Sequence, residues 1–206
     1  MKTRFQGNVQ TCLENFLDCP HATHVHRGWF RSPTQKKVRA TVTTLDDGAV
    51  AQYFDEPRER SIIWALFAPR AGGMQHTDRF IAPATSCVDY VFPSGLAYNI
   101  TSTCSPLSNL DNGAVEVFTV MSFRFRGLGP LVRLVFEPIS RWIIHQDVRM
   151  LNAVAANRAR FPADGSATKS TVADLLGSSI WRWRKALACG AQPPAAGLVH
   201  EVNLYL

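Results

Sequence analysis

The sequence predicts an α+β domain, and three observations support this fold class. Short segments rich in β-branched and aromatic residues, each ended by turn residues, occupy positions 37–126. Apolar residues recur at helical spacing both before and after that region. No predicted helix interrupts the strand-rich region, so we expect a mostly antiparallel sheet with helices packed against it.

The first predicted helix covers residues 9–18. Its apolar side chains lie at helical spacing: Val9, Leu13, Phe16 and Leu17. Pro20 cannot continue this helix because it lacks a backbone donor, but it fits the first turn of a second, short helix. Asp18 or Cys19 would then be the cap of that second helix.

Seven strands are predicted next. They lie near residues 37–44, 49–55, 61–68, 75–82, 86–92, 96–103 and 114–125. Three turn sequences between them suit hairpins: Asp46-Asp47-Gly48, Pro93-Ser94-Gly95 and Asp111-Asn112-Gly113. Neighbouring strands are therefore expected to pair antiparallel.

A long amphipathic helix is predicted over residues 131–160, bent or broken near Pro138, and we expect it to pack across the sheet. Residues 161–167 have the composition of a linker. A further helical segment is predicted at 169–188. The C-terminal part of the chain is therefore expected to be mainly helical.

The composition is that of a folded globular protein. The 206 residues suffice for one large domain, and 46% of them are hydrophobic while 18% are charged, which argues against long disordered regions. We expect residues 1–160 to form the main domain and residues 161–206 a C-terminal helical extension packed on it. No apolar run approaches the roughly 18 residues that a membrane-spanning helix needs.

The net charge, the cysteines and the N-terminus bear on the binding partners and the cellular location of the protein. The net charge of +6 is spread along the chain, so nucleic-acid binding is not expected. The five cysteines are an odd number without a Cys-x-x-Cys pair, which argues against a disulfide framework or a zinc knuckle. Residues 1–8 become polar before an apolar segment of the kind found in signal peptides could form, so a signal peptide is not expected. We expect a cytoplasmic protein.

Three histidines, His21, His24 and His26, lie within six residues, and Asp18 precedes them. Two histidines and one carboxylate can bind Fe(II) on one face and leave positions open for oxygen. On a regular helix His21 and His24 are about 60° apart, whereas His21 and His26 are about 140° apart. Spacing alone therefore favours the first pair. Without further support, such a cluster is more often not a metal site.

Candidates for a third ligand, His145 and Asp147, lie in the predicted long helix. A buried carboxylate is costly unless a cation or a metal compensates its charge. The simpler interpretation is an exposed side chain or an ion pair, since Arg141 and Arg149 are near in sequence. Both interpretations remain open at this level.

Aromatic residues of the predicted strands are candidates for the wall of an apolar pocket. They are Phe54, Trp64, Phe67, Phe80, Tyr90, Phe92, Tyr98, Phe118 and Phe123. Most of them are expected to be core residues. Two polar strand residues, His76 and Asn99, could orient a substrate, although an exposed or internally satisfied side chain is the simpler interpretation.

The segment from Asn15 to His26 resembles a known motif. Asn15, Asp18, His21 and His26 match the Asn-x2-Asp-x2-His-x4-His signature of the catalytic domain of Rieske-type non-haem iron oxygenases, in the branch of the vanillate and dicamba O-demethylases. By this resemblance His21 and His26, not His24, would be the iron ligands.

The same resemblance implies a third ligand, a fold and a cofactor. The family's third ligand is an aspartate on the long helix after the sheet, and Asp147 is similar in place, 121 residues (147 − 26) after His26. The family fold is the helix-grip, a curved antiparallel sheet around a long C-terminal helix, and the resemblance covers about residues 9–160. The implied cofactor is one mononuclear Fe(II).

The resemblance also implies roles for two further residues. Asp18 would be the carboxylate that links a histidine of the iron site to a neighbouring Rieske centre, and Asn15 would lie near the iron without binding it closely. The alternative for Asp18 is a simple helix cap.

One departure from the family pattern concerns electron supply. Family members usually carry Cys-x-His and Cys-x-x-His ligands of a [2Fe–2S] cluster, and this sequence has no such pair of motifs. The cluster is therefore expected only on a partner chain, a Rieske or ferredoxin protein. The alternatives are a truncated chain or a domain that has lost turnover.

Two function classes follow. The first is an oxygenase component that uses O2 to hydroxylate or oxidatively demethylate a small aromatic or other apolar substrate, as a monooxygenase or a dioxygenase. The second is a non-catalytic domain of helix-grip type that binds a hydrophobic ligand. The resemblance also implies a homotrimer.

Overall fold

The computed structural model describes residues 1–29, 36–54, 56, 61–67, 73–107, 113–124, 129–160 and 170–205, and every structural statement below concerns these residues. The helices are α1 (Val9–Leu17), α2 (His21–His24), α3 (Ile62–Phe67), α4 (Gly129–Arg160) and α5 (Gly177–Ala188). The strands are β1 (Lys2–Gln6), β2 (Lys37–Leu45), β3 (Gly48–Phe54), β4 (Gln75–Ile81), β5 (Thr85–Val91), β6 (Ala97–Pro106), β7 (Ala114–Arg124) and β8 (Val199–Tyr205).

All eight strands form one sheet in the order β1-β7-β6-β5-β4-β3-β2-β8. Every neighbouring pair is antiparallel, as expected from the hairpin turns. The α+β class is thus confirmed, and six of the seven predicted strands are present. The two outer strands, β1 and β8, come from the ends of the chain and were not predicted.

The turn between β2 and β3 shows how the sequence sets the register of a hairpin. Gly48 has φ = +156°, and a Cβ atom there would lie 2.0 Å from the carbonyl oxygen of Phe80 on β4. Only glycine allows this close approach of two backbones. Leu45 and Gly48 therefore form the last pair of the β2–β3 ladder.

The predicted strand at 61–68 is wrong, because the chain forms helix α3 there. The Ser61 hydroxyl accepts a hydrogen bond from the Trp64 backbone N–H at 3.4 Å, as an N-cap residue does. Ile63 and Trp64 are adjacent and both buried, which an alternating strand would not allow. A short apolar run does not by itself distinguish a strand from a helix.

Helix α4 is continuous from Gly129 to Arg160, so of the predicted bend or break near Pro138 the break is wrong. Pro138 lies within the helix on its exposed side, where the carbonyl left without its usual partner can bond to water. Helix α5 begins at Gly177, later than predicted, and residues 170–176 form turns stabilised by Asp174. The predicted linker at 161–167 lies outside the described residues.

Two apolar clusters form the core. One lies between α1, α5 and strands near both ends of the sheet, and it includes Leu13, Phe80 and Ile180. The other is aromatic and includes Tyr98 of β6 and Phe136 of α4. Helix α4 packs against β1 and, through Phe136, against Tyr98 of β6 and Phe123 of β7, so it covers the half of the sheet that ends at β1. Helix α1 leads directly into the segment that carries the histidines. Among the described helices, none is long and apolar enough to cross a membrane.

Candidate metal centre

Two histidines from one loop meet an aspartate from the long helix. His21 begins α2, His26 follows just after that helix, and Asp147 lies in the middle of α4. Their nearest ligand atoms all lie within 4.8 Å of one another. The Nε2 atoms of His21 and His26 lie 3.6 Å and 3.1 Å from Asp147 Oδ1. His24 and His145 are exposed and do not belong to this group.

The other ring nitrogen of each histidine is held by an acceptor. His21 Nδ1 donates to the backbone carbonyl of Asp18, and His26 Nδ1 donates to Oε1 of Gln146 at 2.8 Å. Because Nδ1 carries the hydrogen in both rings, the lone pair is on Nε2, the atom that faces Asp147. Both imidazoles are therefore oriented to bind a metal through Nε2.

The electrostatics of the group favour a cation. Asp147 is 4% exposed, and its Oδ1 atom accepts no hydrogen bond of good geometry from the described residues. Burial lowers the pKa of His26, but the Asp147 carboxylate and the Gln146 oxygen together raise this pKa by more, so that it lies above its ordinary value. A buried carboxylate oxygen facing two imidazole nitrogens suits the two-histidine, one-carboxylate set that binds Fe(II).

A cavity of about 120 Å³ adjoins the three side chains. Most of its wall is apolar and comes from the middle strands and α4: Val88, Tyr98, Ile100, Met121, Ile143 and Ile144. Of the aromatic residues considered from the sequence, Tyr90 and Tyr98 line the cavity. Phe80 belongs instead to the cluster beneath α1 and α5, and Phe118 is exposed on the other face.

The family model of the vanillate O-demethylase oxygenase C-terminal domain matches residues 5–189. The chain belongs to this family. The resemblance seen in the segment from Asn15 to His26 is thereby confirmed at the level of the family. No curated protein matches the chain.

Solved structures show the same fold. Dicamba monooxygenase bound to 3,6-dichlorosalicylic acid is similar with a TM-score of 0.69 and 16% identity, over 93% of this chain and 59% of that chain. NdmB of Pseudomonas putida CBB5 is similar with a TM-score of 0.62 and 16% identity, over 92% of this chain and 50% of that one. NdmA from the same organism, solved with caffeine, is similar with a TM-score of 0.62 and 14% identity, over 90% of this chain and 50% of that chain. This chain thus spans between 50% and 59% of the length of these structures.

Asn15 and Asp18, the other two residues on which the resemblance rests, line a different cavity from the one next to His21, His26 and Asp147. That cavity measures about 670 Å³ and lies between α1, α4 and residues 170–182. Asn15 is buried, and its amide atoms have no hydrogen-bond partner among the described residues. Asp18 is half-buried at the end of α1, where its backbone carbonyl holds His21.

Sequence reasoning missed Gln146 and a row of hydroxyl groups. Gln146 directly precedes Asp147, and a polar side chain next to a predicted ligand was the available signal. Three buried hydroxyl residues, Ser86, Ser102 and Thr119, line the cavity on β5, β6 and β7. The Ser102 and Thr119 hydroxyls lie 3.0 Å apart. Other hydroxyl residues lie beside them in the same strands, such as Thr101 and Thr103 on either side of Ser102, so the sequence did not distinguish the buried hydroxyls from the others.

His76 and Asn99 do not line the cavity, contrary to one interpretation of the sequence. Asn99 lies among polar side chains and donates to Asp89 at 2.7 Å. His76 is 1% exposed and lies between two carboxylates, Glu56 and Asp78. The internally satisfied alternative therefore describes both residues.

Proposed function

We propose that this domain is the iron-containing part of an oxygenase that hydroxylates or oxidatively demethylates a small aromatic or other apolar substrate. The proposed Fe(II) ligands are His21, His26 and Asp147. The observation that carries the proposal is that these three side chains converge within 4.8 Å and line one apolar cavity. A bound Fe(II) would supply open coordination positions and the electron chemistry that O2 activation needs.

The protein's own groups have separate tasks in this proposal. The Asp18 carbonyl and the Gln146 side chain hold the imidazoles with Nε2 directed inward. Asp147 supplies a negative charge that offsets part of the charge of the metal. The apolar wall from the strands and α4 orients the substrate next to the ligands and keeps water out.

The size and polarity of the cavity suggest the class of substrate. A dry cavity of roughly 150 Å³ is known to hold one benzene molecule, and the cavity here measures about 120 Å³. The cavity is thus of the order of one aromatic ring, so we favour a single-ring substrate over one with fused rings. The hydroxyls of Ser102 and Thr119 can bond to one polar substituent on that ring.

Electrons must come from a [2Fe–2S] centre on another domain or chain, and we propose Asp18 as the residue through which they pass. Two observations support this role: Asp18 lines the 670 Å³ cavity along α1, and its backbone carbonyl accepts a hydrogen bond from His21 Nδ1. Asn15 lines the same cavity, and in this proposal it lies near the iron without binding it closely. A homotrimer, a helix-grip description of the fold and a cytoplasmic location stay predictions of the same proposal.

We further propose that residues 161–206 form an extension packed on the domain made by residues 1–160. Ile180 and Trp183 of α5 are buried in the same cluster as Leu13 of α1, which supports this division of the chain. Strand β8, which follows, pairs with β2 along seven residues, from Lys37–Tyr205 to Thr43–Val199.

Metal content tests the proposed ligands. The protein is purified anaerobically, loaded with Fe(II), and bound iron is measured per chain in the His21→Ala, His26→Ala and Asp147→Ala variants, with His24→Ala as the matched control. We expect about one tightly bound iron, lost in the first three variants and kept in the control, whose side chain is exposed. Loss of iron in His24→Ala, or full iron in Asp147→Ala, would contradict the assignment.

A second experiment separates the oxygenase from a domain that only binds an apolar ligand. The iron-loaded protein is incubated with a Rieske or ferredoxin reductase system, O2 and a panel of methoxylated and hydroxylated single-ring compounds. The oxygenase proposal expects O2 uptake matched to product. Binding of the same compounds without product, under conditions in which the iron is reduced, would favour the ligand-binding alternative.

A further inference from the structure

A second cluster of metal-binding side chains lies outside the proposed iron site. Cys19, Glu56 and His76 each offer a ligand atom, and these atoms all lie within 4.8 Å of one another. They come from three separate segments: the turn between α1 and α2, the residue shortly after β3, and strand β4. Their exposed fractions are 6%, 7% and 1%, so the cluster is closed to solvent.

We propose that this cluster binds a second divalent metal of the zinc type. A thiolate, an imidazole and a carboxylate are the donors that Zn²⁺ uses in proteins, and the mixture with sulfur disfavours Mg²⁺ and Ca²⁺. The iron site proposed above contains no sulfur ligand, so the two sites differ in their chemistry. The inference does not depend on the oxygenase activity.

The surroundings of His76 are those of a metal-binding histidine. Its Nε2 atom lies 2.9 Å from Asp78 Oδ1, and Asp78 Oδ2 accepts a hydrogen bond from the Tyr53 hydroxyl at 2.8 Å. A carboxylate that holds one ring nitrogen fixes the tautomer and leaves the other nitrogen for the metal. The nitrogen that remains is Nδ1, and it is the one that faces Glu56.

Two aromatic rings hold the imidazole in place. The Tyr53 ring stacks on the His76 imidazole with a centroid distance of 4.5 Å and an interplanar angle of 13°. The Tyr90 ring also stacks on this imidazole, with a centroid distance of 4.4 Å and an angle of 14°. A ring held in this way has little rotational freedom left to lose when a metal binds. The position of Nδ1 is therefore fixed before binding.

The hydrogen-bonded arrangement needs only a small change to accept a metal. His76 Nδ1 and Glu56 Oε2 lie 2.6 Å apart and share a hydrogen. Two ligands of a tetrahedral zinc lie about 3.4 Å apart, as follows from bond lengths near 2.1 Å. When the metal replaces the shared hydrogen, the two atoms must therefore move apart by roughly 0.8 Å, which the Glu56 side chain can provide by rotation.

A metal at this position would brace the loop that carries the iron ligands. Cys19 lies two residues before His21, and Tyr90, which stacks on His76, also lines the cavity. The metal would join that loop to His76 on β4 and to Glu56, which follows β3. Because the three side chains do not line the cavity, the metal would act on the position of this loop and not on the substrate.

Cobalt titration of the whole protein tests the site, because thiolate ligands give Co²⁺ an intense near-ultraviolet charge-transfer band. The protein is stripped of metal, kept reduced, and titrated with Co²⁺ and then with Zn²⁺. We expect the sulfur band to reach its full intensity within two equivalents of Co²⁺, since the proposed iron site can bind the other equivalent, and to be removed by Zn²⁺. Absence of the band after two equivalents of Co²⁺ would overturn the proposal without any variant.

Variants then assign the ligands. The band should persist in the His21→Ala/His26→Ala double variant, which lacks the iron site, and in Cys189→Ser, the matched control at an exposed cysteine. It should disappear in Cys19→Ser, and His76→Gln should weaken Zn²⁺ binding at least tenfold. A band that remains in Cys19→Ser but is lost in Cys189→Ser would mean that the cobalt is bound elsewhere.

Discussion

Replacement of Gln146 by leucine should weaken metal binding at the iron site by about 10- to 100-fold. His26 is 3% exposed, and its Nδ1 donates to Gln146 Oε1 at 2.8 Å. Without metal, the imidazole of the variant can move its hydrogen to Nε2 and donate to Asp147, 3.1 Å away. With metal on Nε2, the hydrogen must stay on Nδ1, where leucine offers no acceptor.

The penalty therefore falls on the metal-bound state alone. A buried donor without an acceptor costs about 1–3 kcal/mol, and a factor of 10 to 100 in affinity corresponds to about 1.4–2.7 kcal/mol. Anaerobic titration of Fe(II) against a competing chelating dye measures the difference. Gln146→Glu, which keeps an acceptor, should bind at least as tightly as the unmodified protein, and exposed His145→Ala serves as the control. An affinity of Gln146→Leu within twofold of the unmodified protein would refute the reasoning.

Three further predictions concern stability and electron delivery. Gly95→Ala, with open space around it, should lower the free energy of unfolding by only about 1–2 kcal/mol because of its left-handed backbone. Gly48→Ala should lower it by more than Gly95→Ala does in urea unfolding, because a Cβ atom there would also lie 2.0 Å from the Phe80 carbonyl oxygen. Phe136→Ala should lower the free energy of unfolding by about 3–5 kcal/mol, since this side chain is 1% exposed within the aromatic cluster; a loss under 1 kcal/mol would show that the cluster is poorly packed. Asp18→Asn should retain iron, because His21 bonds to the backbone carbonyl of Asp18 and not to its side chain. The same variant should slow reduction of the iron by a Rieske donor at least tenfold, as followed by stopped-flow absorbance. An unchanged rate would remove this side chain from the electron route.

The sequence predicted the parts of the fold that have a clear period or clear turn residues. Six strands and the helices α1 and α4 followed from spacing, and the hairpin at Gly48 from its turn residues. The strand prediction for residues 61–68 was wrong because a short apolar run is compatible with both a strand and a helix. Burial of this segment against α4 and the sheet decided in favour of the helix. Strand β8 was not predicted, because the alternation of Val202 and Leu204 with polar residues is short and most of its side chains are exposed.

The candidate site divides in the same way. Helical spacing favoured His21 with His24, whereas the structure brings His21 and His26 together because α2 ends at His24 and the chain turns before His26. A rule based on a continuous helix could not anticipate that end. Gln146 and the pair formed by Glu56 and His76 depend on contacts between segments 120 and 20 residues apart, which no local pattern encodes.

Because α4 is continuous, the same helix carries both Asp147 and the cavity residues Ser140, Ile143 and Ile144. A substitution on this face that tilts or shifts the helix moves the carboxylate as well. The walls on β5, β6 and β7 carry no proposed ligand. Selection for a new substrate in a laboratory evolution experiment should therefore accumulate accepted changes on the strands, at positions such as Ile100, while α4 tolerates few.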